Sequence, residues 1–185
     1  MPHAHPPRLP FFRSTDLDVH AERAHTPAAK LGYAGTIKWD GYFGKYDKGV
    51  QDYSLVGPPG QGWPLRPAYQ VVRLLTGTVR PGWQVVSVDG QSGTKLLVGF
   101  RGAAGETTIV GLDTSGATLN ALSPTQVSYV LGGLPPNALL RLELWNQDGS
   151  GSLSDGGAVS ADAAGVVTLT VPQQAVFALT TLPSG

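Results

Sequence analysis

The sequence has no cysteine, which excludes disulfides, thiolate catalysis and cysteine-ligated zinc. Its four histidines, His3, His5, His20 and His25, all lie near the N-terminus. No histidine follows them, so the later part of the chain cannot hold a Ser-His-Asp triad. His3 and His5 stand among prolines, a context that favours a flexible arm over a metal site.

The chain also has no excess of positive or negative charge and no long apolar run. Thirteen basic residues balance thirteen acidic ones, so its net charge predicts neither a nucleic-acid nor an anionic-membrane partner. No stretch approaches the ~18 apolar residues of a membrane span. Residues 1–13 lack the apolar core of a signal peptide. We expect a soluble chain without its own signal peptide; its localisation stays open, and a longer parent protein could be secreted.

The first 81 residues predict a flexible arm and a small α/β segment. Residues 1–13 are rich in proline and histidine and form the predicted arm. Within 14–81, apolar spacing and capping residues predict a helix over 14–31, interrupted by a proline, and a strand at 35–39. A long loop rich in glycine and aromatic residues occupies 40–64, and a helix is predicted over 66–78.

A β-domain is predicted over 82–185. There, segments in which apolar and polar residues alternate recur between glycine-rich turns such as Asp89-Gly90 and Gly156-Gly157. Many short strands at this spacing indicate a sandwich. The expected fold class is therefore mainly β: a C-terminal antiparallel β-sandwich of about eight strands, preceded by the small α/β segment. The predicted strands lie near 83–88, 95–100, 106–113, 126–131, 138–145, 157–160, 165–171 and 174–181.

Four phrases carry a resemblance to a known family: GTIKWDGYFGKYD, QDYSLVGPPGQGWPLRPAYQVVRLLTGTVRPGWQVV, LRLELWNQDGSG and GVVTLTVPQQAVFALTTLP. Together with the element order, they resemble the C-terminal part of a (β/α)8-barrel glycoside hydrolase. The resemblance implies that 35–39 is the last barrel strand, 66–78 the last barrel helix and 82–185 the attached sandwich. Such enzymes carry their catalytic carboxylates on earlier strands, so the resemblance implies a catalytically incomplete chain, and whether it is an enzyme stays open.

No residue is predicted to be catalytic. Glycoside hydrolysis needs two carboxyl groups that flank the scissile bond. The chain has three glutamates, of which Glu22 lies in a predicted helix, while Glu106 and Glu143 lie on predicted strands outside any pocket. Aspartates of the 40–64 loop are more typical of turns than of a catalytic pair.

Four aromatic residues are the candidate substrate-binding residues. Trp39 would lie at the C-terminal end of a barrel strand, where an indole can stack on a sugar ring. Tyr42, Tyr46 and Trp63 could extend this platform from the loop. The alternative is that Trp39 packs in a core and that the loop aromatics pack on one another.

A turn over 146–155 partly imitates a calcium loop, but Leu144 stands where the first ligand would be. We therefore predict a hairpin turn, no metal site and no cofactor. The predicted partners are carbohydrate and the missing barrel portion, or a second copy that pairs with the strand at 35–39. A carbohydrate-binding module and a purely structural β-domain remain alternatives. The sandwich aromatics are scattered over different strands and should point inward, which disfavours the module.

Overall fold

The computed structural model describes residues 55–57, 60, 62–88, 92–115, 125–146 and 152–183. The predicted arm, the helix over 14–31 and the strand at 35–39 lie outside these residues. The described part contains one helix, α1 (Pro67–Thr78), and eight strands. These are β1 (Gln84–Val86), β2 (Lys95–Arg101), β3 (Thr107–Asp113), β4 (Gln126–Leu131), β5 (Leu139–Trp145), β6 (Leu153–Ser160), β7 (Val167–Pro172) and β8 (Val176–Thr180).

Helix α1 begins where its sequence predicts. Pro67 occupies the first turn, where its fixed φ suits the helix and its missing N–H costs nothing, and Arg66 before it is extended. The helix ends at Thr78, because Val79 returns to extended geometry (φ −123°, ψ 134°) while its N–H still bonds the carbonyl of Leu75 at 2.9 Å.

The strands form two antiparallel sheets, so the predicted mainly β fold is confirmed. A six-stranded sheet has the order β1-β2-β3-β8-β5-β6, and β4 pairs with β7 in a two-stranded sheet. The C-terminal strand β8 lies in the middle of the large sheet, with Val110 opposite Ala178 on one side and Leu144 opposite Phe177 on the other.

One face of the large sheet packs against the small sheet and forms the sandwich core. Phe177 is fully buried there, with its ring 4.9 Å from that of Tyr129 at an interplanar angle of 68°, an edge-to-face contact between the sheets. The same cluster includes Leu97, Ile109, Leu131, Leu134, Leu140, Leu142, Ala161, Val167, Leu169, Val171 and Leu179.

The opposite face of the large sheet is covered by α1. Val71 and Leu74 of the helix are fully buried against a second cluster, whose sheet members are Val98, Val110, Leu112, Trp145, Val176 and Ala178. The central strands β3 and β8 are consequently buried at every position. Strand β7, which has one solvent-facing side, keeps a strict alternation of buried and exposed residues from Val167 to Val171.

One predicted turn is wrong. Gly156 and Gly157 lie inside β6, which begins at Leu153 and is longer than the predicted 157–160. The register shows why, since Leu142 pairs with Gly157 and Glu143 with Asp155, so that Gly156 is an extra residue in a β-bulge. Gly157 has φ 82°, which favours glycine, and a Cβ on Gly156 would lie 2.6 Å from the Leu142 side chain. A pair of adjacent glycines can thus form a β-bulge as well as a turn.

A chain of buried hydroxyl groups ties the end of α1 to the large sheet. Thr108 Oγ1 donates to the carbonyl of Thr78 at 2.6 Å and lies 2.7 Å from Thr180 Oγ1. Because the Thr108 hydroxyl donates its only proton to the Thr78 carbonyl, the Thr180 hydroxyl must be the donor in its hydrogen bond with Thr108. The N–H of Leu182 then donates to Thr180 Oγ1 at 3.1 Å.

Substitution Thr108→Val is expected to lower the free energy of unfolding by about 1–3 kcal/mol, although it preserves the side-chain shape. It removes a donor from the Thr78 carbonyl and an acceptor from the Thr180 hydroxyl, both within buried residues. Urea denaturation of the full chain measures the loss. Thr168→Val, on the exposed side of β7, is the matched control, and an equal effect of both substitutions would contradict the role of the buried chain.

Candidate functional site

Of the four predicted substrate-binding residues, only Trp63 lies within the described residues; Trp39, Tyr42 and Tyr46 lie outside them. Trp63 belongs to a small hairpin-like segment before α1. The N–H of Gly57 bonds the carbonyl of Pro64 at 2.7 Å, and the N–H of Arg66 bonds the carbonyl of Leu55 at 2.9 Å. The end of the predicted aromatic loop is therefore held by regular backbone hydrogen bonds.

Trp63 has an unusual backbone conformation for a bulky residue. Its φ is 59°, in the left-handed region, and its side chain is 50% exposed. Bulky side chains adopt this region at a cost of about 1–3 kcal/mol, and such outliers concentrate at ligand-binding and other functional segments. The geometry presents an indole at the surface, while the role of Trp63 in binding sugar stays a prediction.

The aromatic residues of the described strands do not form an exposed row. Tyr129, Trp145 and Phe177 are buried, and Phe100 is partly buried. Trp83, just before β1, is also partly buried. A flat row of exposed rings is what a sheet face would need to stack on a glycan. Within the described sandwich, the prediction that most aromatics point inward is confirmed.

Most carboxylates of the described residues hold turns. Asp155 Oδ1 accepts from the N–H of Gly157 at 2.8 Å, and it lies at the bulge of β6. Asp162 Oδ1 accepts two backbone N–H groups, and Asp113 and Glu106 accept from the N–H of Ser115 and Ala104, respectively. These are the local bonds typical of Asx turns and related loops. Half of the calcium-like turn, residues 147–151, lies outside the described residues, and no group of three or more potential metal ligands occurs among those described.

Glu143 corrects a prediction, because it does lie in a pocket. A cavity of about 440 Å³ opens between the C-terminal half of α1 and strands β5 and β6. We call it the arginine cavity after Arg73, Arg80 and Arg141, which line it with Glu143, Ser154 and Asp155. Glu143 forms an ion pair there with Arg141, two residues earlier on the same face of β5. The sequence signal was this Arg-x-Glu alternation, but only the fold brings the helix arginines beside it.

Within the described part of the chain, no helix has both the length and the apolar character needed to cross a membrane.

Comparisons with known proteins show a similar fold in solved structures but no matching sequence family. No family model matches the chain, and neither does any curated protein. The catalytic domain of the GH30 xylanase C from Talaromyces cellulolyticus is similar over 69% of this chain, with a TM-score of 0.55 and 14% identity. The glycoside hydrolase family 30 subfamily 8 xylanase from Clostridium acetobutylicum is similar over the same share, with a TM-score of 0.53 and 12% identity.

The match covers only part of each xylanase. The chain spans 27% of the Talaromyces protein and 30% of the Clostridium protein. At this identity the likeness concerns the fold. The described β-domain and its helix thus have the architecture found in part of these two glycoside hydrolase structures.

Proposed function

We propose that this chain is the C-terminal part of a barrel glycoside hydrolase, with an accessory β-sandwich that stabilises a barrel. The observation that carries the proposal is the fold likeness, which extends over 69% of this chain but only 27–30% of two xylanases. In this proposal the chain is catalytically incomplete alone, and its partner is the missing barrel portion.

The packing of α1 supports this proposal. The helix closes one face of the large sheet through Val71 and Leu74, while Tyr69 and Val72, on another side of the helix, are partly buried. A helix with apolar residues on so much of its circumference is suited to neighbours on two sides. In the proposal, the sandwich is one neighbour and the barrel is the other.

Carbohydrate is the proposed substrate class. Trp63, exposed and held in left-handed geometry, would present its indole to a sugar ring, with Trp39, Tyr42 and Tyr46 completing the platform. Stacking combines apolar contact with weak electrostatic attraction between C–H groups and the ring face. A TIM barrel carries its active site at the C-terminal ends of its strands, which is where the proposed last strand places Trp39.

The purified full chain is expected to show no glycosidase activity. The described carboxylates hold turns or, for Glu143, an ion pair, and none stands as a catalytic pair. Release of reducing sugar from xylan and of nitrophenol from aryl-glycosides measures activity. Glu143→Gln and Asp155→Asn are the diagnostic variants: turnover that survives repurification and is abolished by either substitution would overturn the proposal, whereas turnover equal in all three preparations identifies a contaminant.

DNA sequence upstream of the coding region gives a second, independent test. The proposal expects the reading frame to extend into barrel strands that carry two carboxylates at glycosidase spacing. A stop codon and start site immediately before Met1 would contradict it.

A non-catalytic carbohydrate-binding module is the second candidate, and exposed Trp63 is the observation that favours it. Retention of the full chain on insoluble xylan or cellulose measures this function. Retention that is lost on Trp63→Ala, but kept on Val130→Ala, would favour the module, because Val130 is an apolar residue on β4 that is even more exposed than Trp63.

A further inference from the structure

The arginine cavity lies on the helix-covered side of the large sheet, toward its β6 edge. Arg73 comes from the exposed side of α1 and Arg80 from the segment after it, while Arg141 and Glu143 come from β5 and Asp155 from β6. Its volume of about 440 Å³ falls within the range of small-ligand sites and is far larger than a single ion requires.

The charges that line the cavity are not balanced. Three arginines face two carboxylates, which leaves one positive charge in excess. Arg141 is paired with Glu143, and Asp155 Oδ1 is occupied by the N–H of Gly157. Among the described residues, the guanidinium groups of Arg73 and Arg80 make no hydrogen bond or ion pair. Two forked donors therefore border the same space without an acceptor in the described part of the chain.

A buried donor of the same cavity is also unsatisfied. Arg141 Nε is shielded from solvent and has no hydrogen-bond partner, although the ion pair to Glu143 uses Nη1. A buried N–H without an acceptor costs free energy, and in native structures such a group calls for a partner. Because this Nε is closed to solvent, a ligand in the cavity would meet the Arg141 guanidinium only through its Nη groups.

We propose that the arginine cavity binds a small hydroxylated carboxylic acid, with a sugar acid of monosaccharide size as the ligand class. Guanidinium groups recognise planar carboxylates through paired hydrogen bonds, and Arg73, Arg80 and Arg141 supply the donors. Glu143, Asp155 and the Ser154 hydroxyl accept from the ligand's hydroxyl groups. The Leu153 side chain, which packs on the second core cluster, gives an apolar wall for the C–H face of the ring.

Titration of the ¹⁵N-labelled full chain with sodium glucuronate tests this proposal. We expect saturable shifts of the amide signals of Arg73, Gly77 and Ser154, which border the cavity. Glucose has the hydroxyl groups without the charge, and acetate and inorganic phosphate have the charge without the ring. Each of the three is expected to bind at least about tenfold more weakly, since each loses one charge-assisted or several neutral hydrogen bonds.

The variants Arg73→Gln and Arg80→Gln are each expected to weaken glucuronate binding by about tenfold. Both side chains are exposed, so the fold should survive, and an unchanged amide spectrum outside the cavity verifies this. Arg101→Gln is the matched control, because Arg101 is an exposed arginine of β2 that does not line the cavity. Absence of saturable shifts, equal binding of phosphate and glucuronate, or an equal loss in Arg101→Gln would each overturn the proposal.

Discussion

Substitution Phe177→Ala is expected to lower the free energy of unfolding by about 3–5 kcal/mol, the largest effect of any change considered. Phe177 is fully buried in β8, at the centre of the large sheet, and its ring meets that of Tyr129 across the sandwich. The backbone of Gly111 lies so close that a Cβ there would be 2.4 Å from the Phe177 ring. Strands on both sides of β8 fix the walls of the space that the Phe177 ring fills. The surrounding residues therefore cannot easily move in to fill the cavity that alanine would leave.

Equilibrium denaturation in urea, followed by tryptophan fluorescence and circular dichroism, measures the loss. Leu139→Ala is the control, because Leu139 lies on neighbouring β5 but is 68% exposed, and its truncation should change stability by less than about 0.5 kcal/mol. A loss below about 1 kcal/mol for Phe177→Ala would mean that the two sheets do not share one cooperative core.

The strand positions could be predicted from the sequence because local signals set them. In β5 and β7 the apolar residues alternate with polar ones, and in β2, β3, β4 and β8 the turn residues at either end bound an apolar run. The exception is β6, whose Gly156-Gly157 pair has the composition of a turn but forms a bulge opposite Leu142. Composition alone does not distinguish these two uses of glycine.

The strand order and the arginine cavity could not be predicted, since both depend on contacts between distant parts of the chain. Placing β8 between β3 and β5 brings Val110 and Leu144 beside residues almost at the C-terminus. Likewise, Arg73 and Glu143 are seventy positions apart in the sequence and meet only because α1 covers the large sheet. Glu143 therefore looked like a surface residue on an alternating strand.

The wide apolar face of α1 predicts that both of its adjacent leucines, Leu74 and Leu75, are largely buried, each against a different neighbour. Leu74 is fully buried in the second core cluster, whereas Leu75 is only partly buried at its margin. Successive helix residues point about 100° apart, so only one of the pair faces the sheet directly. Neither leucine is mostly exposed, as predicted, but Leu74 is the more deeply buried of the two.

Leu74→Ala is accordingly expected to destabilise the chain by about 2–4 kcal/mol, and Leu75→Ala by about 1 kcal/mol. The first removes a side chain that contacts the face of the large sheet opposite the small sheet, and the second removes one that rests on the cluster's edge. Both substitutions replace leucine by alanine in the same helix, so differences in helix propensity cancel and the contrast reports packing alone.

Urea denaturation of both variants measures the difference in their free energies of unfolding. Hydrogen exchange of the amides of β3 and β8 shows which part of the sheet is destabilised. If α1 is an integral part of the β-domain, Leu74→Ala lowers protection throughout these two strands, because their helix-facing side loses its cover. Equal small losses for both leucines, with unchanged protection in β3 and β8, would show that α1 is only loosely attached. The helix would then be no rigid connection between the sandwich and a barrel, and the proposed accessory role would lose its structural basis.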